Sequence, residues 1–295
     1  PPIFKAWLNT ITQFDGAICI SQATAVALKN WVEINQIETL KSFNTDIVHV
    51  GADFVDMTTS YVIPNEYLSL LELVKSSQSF LMVGTVEPRK GYAQVLDAFE
   101  RLWSQSEDVV LVIVGKPGWE SSDLLARLNE HLQINHKLFW LKGIDDQLLQ
   151  SLYKAASCLL AAAEGEGFGL PLIEAAHYGL PIIARDIPVF REVAQDFAYY
   201  FTAGSAIELL DSVNEWRRLA QVKQHPPSND MPYSNWALCA TKYVEFMSTH
   251  DHLVNQHSKS QQRNKTFYEE VDAERKAIAR LEAELEHANT QIAEA

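Results

Sequence analysis

Two carboxylates eight positions apart, Glu166 and Glu174, bracket a glycine-rich stretch, Glu164-Gly165-Glu166-Gly167-Phe168-Gly169-Leu170-Pro171-Leu172-Ile173-Glu174. The combination suits a ligand that carries both hydroxyls and phosphate, as a sugar nucleotide does. An ionised carboxylate presents two acceptor oxygens, which match the vicinal hydroxyls of a sugar ring or a ribose. The apolar run at 158–163 before the motif has strand length, and 172–178 after it has helical character that ends at Gly179. The motif therefore reads as a strand-to-helix turn. In an open α/β sheet such a turn lies in the ligand crevice and offers phosphate the N–H groups and positive dipole end of a helix. Gly167 and Gly169 are expected to let the backbone approach a ligand where a Cβ would obstruct it, and Glu174 is expected on the same side of the turn as Glu166. The plainer alternative is that both acids only complement a helix N-terminus.

A second segment, Phe80-Leu81-Met82-Val83-Gly84-Thr85-Val86-Glu87-Pro88-Arg89-Lys90-Gly91, is an apolar strand that runs into a glycine and then two adjacent cations. Arg supplies a planar fork and Lys a mobile point charge, a fitting clamp for a diphosphate. By itself it is equally an exposed loop with two solvated cations.

Together these segments resemble a known family. The stretch from Glu166 to Glu174 looks like the Glu-x(7)-Glu signature of retaining GT-B glycosyltransferases, specifically family 4, and 80–91 resembles the first strand and loop of that family's donor domain. The resemblance implies transfer of a sugar from a nucleoside diphosphate sugar, with retention at the anomeric carbon and no required cofactor or metal. It implies that Arg89 and Lys90 neutralise the leaving diphosphate, that Glu166 orients the donor sugar, and that Glu174 holds the ribose. Gly84, Gly167, Phe168, Gly169 and Leu170 would line the donor, and the backbone at Gly143 and Ile144 would receive the base. The departing β-phosphate would take the acceptor proton in a front-face displacement. Thr85 stands where many members place a further basic residue.

Elements able to position these residues follow in order. Residues 109–116 form a β-branched run that ends in Gly115 and Lys116, as a buried parallel strand does. Helical spacing covers 123–132, a further strand 136–143, a turn and helix 144–156, and a last strand 179–186. Alternation of this kind implies a parallel sheet with right-handed crossovers. The expected fold class is α/β: a Rossmann-like sheet flanked by helices, the C-terminal half of a GT-B fold, followed by a long α-helix or coiled coil. No Gly-x-Gly-x-x-Gly fingerprint accompanies it.

The expected organisation is a remnant of a first domain and linker at 1–60, a donor domain at 61–232, a closing helix at 233–250, and a linker with coiled coil at 251–295. Asp15 to Thr24 looks like the last strand and helix start of a GT-B first domain, with Ser21 as N-cap. Its earlier strands and its acceptor loops have no counterpart here, so the chain is expected to be part of a larger two-domain enzyme. In the closing helix, Trp236, Cys239, Ala240, Tyr243 and Met247 share one face, which is expected to be dry. Further on, Val271, Ile278, Leu285 and Ile292 recur every seven residues with Leu281 and Ala288 between them, the seam of a coiled coil for self-association or a neighbouring domain. A solitary charged helix is the alternative.

A net charge of −14 argues against nucleic acid or an anionic membrane as a bulk electrostatic partner. Cys19, Cys158 and Cys239 lie far apart in apolar settings, as buried thiols of a reducing compartment do. His250, His252 and His257 lack zinc-ligand spacing and read as solvated. The expected partners are a nucleotide-sugar donor and a glycan or lipid-linked acceptor. The expected place is the cytoplasm, or the inner face of the cell membrane. Two other readings use the same residues: a GT-B sugar-nucleotide epimerase or phosphorylase, and a non-catalytic scaffold that presents the coil. An epimerase calls for an acid/base pair aimed at the sugar, and a scaffold has no use for a diphosphate clamp.

Overall fold

The computed structural model describes residues 2–39, 43–54 and 61–254. In chain order the elements are α1 (Pro2–Ile11), β1 (Gly16–Cys19), α2 (Gln22–Ile34), β2 (Asn44–Ile47), α3 (Asn65–Ser76), β3 (Gln78–Val83), a 3-10 turn (Pro88–Lys90), α4 (Tyr92–Ser104), β4 (Val109–Val114), α5 (Ser122–Asn129), β5 (Leu138–Leu141), α6 (Asp146–Ala155), β6 (Cys158–Ala161), α7 (Leu170–His177), β7 (Ile182–Arg185), α8 (Pro188–Ala194), β8 (Tyr199–Phe201), α9 (Ala206–Gln221) and α10 (Trp236–Val254). Residues Pro1–Cys239 cluster as one unit, and Ala240 begins a second that is described only as far as Val254.

Six strands form one sheet in the order β5-β4-β3-β6-β7-β8, and every pair is parallel. Helices on both faces explain why β4, Val109–Val114, is apolar throughout and wholly buried. The period of two along β3 sorts its side chains between two cores. Leu81 faces the core built with α3, α6, α7 and α8. Phe80 and Met82 face the one built with α4 and α9, where Phe80 meets Phe99 and Trp216 edge to face.

The strands and helices expected within the described residues are present, with shifted ends. The helix expected from 172 starts at Leu170, because Gly169 takes a left-handed conformation that breaks the chain and Pro171 is tolerated in a first turn. Asp145 caps α6 through its side chain, which accepts from the Leu148 N–H at 2.7 Å. The strand read at 136–143 shortens to Leu138–Leu141, and 179–186 shortens to Ile182–Arg185. Beyond that last strand the sheet gains β8 and then α9, which opens on a capping box of Ser205 and Glu208.

Towards the N-terminus, β1 pairs in parallel with β2 as a separate two-stranded sheet, and Ser21 caps α2 as its sequence position indicates. All three cysteines are buried and free. The dry face expected on the closing helix is corrected: Cys239 is buried, but Trp236, Ala240 and Met247 are exposed and Tyr243 is half-buried. At the start of that helix the Trp236 N–H donates to Asp53. The heptad positions Val271 to Ile292 and His257 lie outside the described residues, as do the side chains of His250 and His252. Among the described residues no helix is long and apolar enough to cross a membrane.

Candidate functional site

Strand order fixes where a ligand can sit. From β3 the chain winds outward through β4 to β5, and from β6 it winds the other way through β7 to β8. The direction reverses between β3 and β6, and a crevice opens there beyond the strand carboxyl ends. Its two walls are the loop after β3, residues 84–91, and the turn after β6, residues 162–169.

Backbone contacts shape the first wall. Gly84 N–H donates to Val114 O at 2.9 Å and Val86 N–H to Lys116 O at 2.9 Å, so the loops after β3 and β4 run side by side. The Tyr92 hydroxyl reaches back to Gly84 O at 2.6 Å and closes the loop. The 3-10 turn Pro88–Lys90 ends on Gly91 in the left-handed region, at φ 74°. This turn delivers Arg89 and Lys90 to the second wall.

Main chain and side chains then bind the walls together. Glu164 N–H donates to Arg89 O at 2.8 Å, and the Arg89 guanidinium donates to Gly165 O at 2.9 Å. Arg89 also pairs with Glu87 at 2.6 Å and lies 3.5 Å from Glu166. The Lys90 ammonium is bonded directly to the Glu166 carboxylate. Burial pushes the Glu166 carboxyl up, but the Lys90 bond, the charges of Lys90 and Arg89 and the Gly167 N–H more than offset this and hold it below the ordinary carboxylate range. Glu166 is thus an ionised acceptor at neutral pH. The Lys90 and Glu166 side chains are 15% and 16% exposed, against 44% for Arg89, so Arg89 is the cation that an arriving anion meets first. A cavity of about 30 Å³ is lined by Lys90, Tyr92, Glu166, Gly169 and Phe190.

The two carboxylates of the motif do not face one cavity, which corrects the expectation that they share a side. Because α7 starts at Leu170, Glu174 is the fifth residue of the helix and turns toward α6, where it accepts from the Tyr153 hydroxyl. It borders a separate cavity of about 280 Å³ with Asp53, Asp146, Gln150 and Tyr178. Burial raises the Glu174 carboxyl above its ordinary range, the Tyr153 bond opposes this, and Asp146 adds to it. A carboxyl with a raised pKa destabilises the fold only where it must ionise. Glu174→Gln is therefore expected to be more stable than the parent at neutral pH, with the advantage shrinking to nothing as pH falls below the unfolded carboxylate value. Thermal melts across pH 3–8 check this, and a pH-independent difference refutes it.

The glycines are also closely packed by the protein itself. A Cβ at Gly167 would sit 3.0 Å from the Ile20 side chain, and one at Gly169, where φ is 100°, would sit 3.0 Å from Phe190. Protein packing is therefore close at both glycines, and the left-handed backbone at Gly169 favours glycine there in its own right. Phe168 is buried against His49, with ring centroids 5.3 Å apart, so only its main chain can serve a ligand. Leu170 opens α7 and is partly exposed. Gly84 has the Lys90 ammonium 3.5 Å from where its Cβ would be. Gly143, at φ 71°, has open space around it, and Ile144 packs on the core. Both follow β5, two strands from β3 and hence roughly 10 Å across the sheet.

Several site residues escaped the sequence reading. Arg185 is buried at the end of β7 and donates to Ala162 O at 2.9 Å, to Ala203 O at 2.8 Å and to Gln94. Burial lowers its pKa and Glu164 opposes the shift. A cation closing an apolar strand was the available signal, since buried charges need partners. Tyr92 and Tyr153 gave no signal beyond helical apolar spacing. Among the described residues no group of three His, Cys, Asp or Glu side chains could hold a metal.

Comparison with known proteins gives a consistent picture. A family model described as glycosyl transferases group 1 matches residues 71–225. The serotype-specific mannosyltransferase WbdA of Escherichia coli is 42% identical over 241 residues, covering 79% of this chain and 29% of WbdA. The O-antigen chain mannosyltransferase RfbU of Salmonella typhimurium is 33% identical over 160 residues, 54% of this chain and 42% of RfbU. The chain thus spans less than a third of the length of WbdA. Among solved structures, HepE of Anabaena in complex with UDP and glucose superposes with a TM-score of 0.62 at 18% identity, over 83% of this chain and 66% of HepE. Sucrose-phosphate synthase of Thermosynechococcus elongatus gives 0.63 at 19% identity, over 84% and 61%. These two share the fold.

Proposed function

The chain belongs to the glycosyl transferases group 1 family, and on that premise we propose that it is the donor-binding half of a retaining GT-B glycosyltransferase of family 4. The reaction is transfer of a sugar from a nucleoside diphosphate sugar to a glycan or lipid-linked acceptor in bacterial surface-polysaccharide synthesis, in the cytoplasm or at the inner membrane face. The names of the Escherichia coli and Salmonella relatives support mannose as the sugar. The carrying observation is that two loops meeting at the sheet's switch point bring Arg89 and Lys90 onto Glu166.

Each residue then has a physical task. Lys90 has three donors, so it can hold a phosphate oxygen without releasing Glu166. Arg89, more exposed, adds a planar fork to the same diphosphate. The α7 N-terminus at Gly169 and Leu170 contributes its dipole. Charge building on the leaving diphosphate is met by groups already in place, and groups so placed lower a barrier by a few kcal/mol each. Glu166, held ionised, accepts from the donor sugar hydroxyls and offsets positive charge at the anomeric carbon. Glu174 takes the ribose from its own cavity, with the base toward Gly143 and Ile144. The heptads at 271–292 would join this module to a copy of itself or to a neighbouring domain.

Calorimetric titration of the chain with UDP, GDP and ADP in EDTA tests the reading. Saturable binding of one nucleoside diphosphate supports a metal-independent donor site and identifies its base. If none of the three binds, the donor-site reading fails and the scaffold reading takes its place.

A further inference from the structure

The turn that carries Glu166 is held from outside the matched family region. Ser21, fully buried at the start of α2, lies with its hydroxyl 2.8 Å from Gly167 O, and the Thr24 hydroxyl lies 3.1 Å from the same oxygen. The two hydroxyls are also 2.8 Å from each other. Two protons serve these three contacts, so at least one hydroxyl always donates to Gly167. The platform that holds them is fixed in turn. Glu192 of α8 accepts from the main-chain N–H of Gln22 at 2.6 Å and of Ala23 at 3.0 Å, and from His49 Nε2 at 2.8 Å. Helix α2 is therefore tied to α8 by hydrogen bonds to a carboxylate and to the turn by the two hydroxyls.

A planar trans peptide points its C=O and the following N–H in opposite directions. Fixing Gly167 O against α2 therefore aims the Phe168 N–H away from α2, and it fixes the Gly167–Phe168 peptide, one residue beyond Glu166. We infer that Ser21 and Thr24 are positioning residues for the donor site: they set the orientation of the Gly167–Phe168 peptide, and with it the hold of this turn on the diphosphate of a nucleotide. The inference rests on the donor-site reading above. It makes the N-terminal segment a working part of the site rather than a neighbour of it.

The test uses the whole chain as Ser21→Ala/Thr24→Val, Thr24→Val alone, and Ser21→Thr/Thr24→Ser, which keeps both hydroxyls. UDP, GDP, uridine, guanosine and pyrophosphate are titrated into each by calorimetry. The double variant without hydroxyls is expected to bind the preferred diphosphate and pyrophosphate about tenfold more weakly, with nucleoside affinity unchanged. The hydroxyl-keeping variant is expected to match the parent. Thr24→Val leaves the Ser21 cap on α2 intact and supplies a folded variant if the double one melts early; it is expected to show a smaller loss in the same direction. Equal losses for nucleoside and diphosphate would reduce the role to general stability and overturn the inference, as would diphosphate affinity unchanged in all three variants. If the parent binds no nucleotide, the donor-site reading fails and this inference falls with it.

Discussion

Lys90→Ala is expected to weaken binding of the preferred nucleoside diphosphate by roughly 10- to 100-fold while the free nucleoside loses little. A hydrogen bond to a charged group contributes about 1.5–3 kcal/mol, which spans that range. Lys90 is mostly shielded from solvent, so its charge is screened less than that of the more exposed Arg89. Arg89→Ala is expected to cost less for that reason. The variant also strips Glu166 of its closest cation and leaves Arg89 at 3.5 Å. The sign of the pH effect follows. In the parent, the depressed Glu166 pKa stabilises the fold above the unfolded carboxylate value, and that contribution is lost as pH falls through the folded value. In Lys90→Ala the folded value rises toward the unfolded one, so the acid-side contribution shrinks and the melting temperature near neutrality falls. Calorimetry on nucleoside and diphosphate, with melts from pH 3 to 7, reads both effects. Matching losses for nucleoside and diphosphate would remove Lys90 from the clamp.

Gly91→Ala is expected to destabilise the chain by about 3 kcal/mol or more and to abolish detectable diphosphate binding. Two costs coincide there. The residue sits at φ 74°, where an L side chain is strained by about 1–3 kcal/mol. An added Cβ would also lie 2.3 Å from Ala162 O, a backbone atom that cannot rotate aside, and overpacking of this kind costs about 1–3 kcal/mol more. Relief requires the loop after β3 to part from the turn after β6, which separates Lys90 from Glu166. Gly179→Ala is the control: its φ is 67°, but nothing lies within 4 Å of the added atom. For a chain of this size 3 kcal/mol corresponds to a fall of roughly 6–12 °C in melting temperature. Equal effects at the two glycines would show that the clash at Gly91 is relieved at no cost.

Legibility in the sequence followed the range of the interaction. Val109 to Val114 announce a buried parallel strand because a strand covered on both faces leaves no position for a polar residue. The cap at Ser21 is legible because it involves a bond three residues away. The short strand β8, three residues long, carries too little periodicity to stand out. The dry face assigned to the closing helix failed because amphipathic spacing shows that a face can be covered without showing what covers it.

Sequence alone determined the alternation of strands and helices, hence the parallel sheet, and the residue types able to meet hydroxyls and diphosphate: Arg89, Lys90, Glu166 and Glu174. Local sterics and periodicity govern those features, and they act within a few residues. Only the tertiary structure decided how these groups are shared out. It joined Lys90 to Glu166 across 76 positions of chain, sent Glu174 to Tyr153 in a separate cavity, and brought Ser21 over 146 positions to Gly167. The direction a side chain faces at a loop depends on where the helix after it begins and on what packs behind it. Neither is encoded in the spacing of the motif itself.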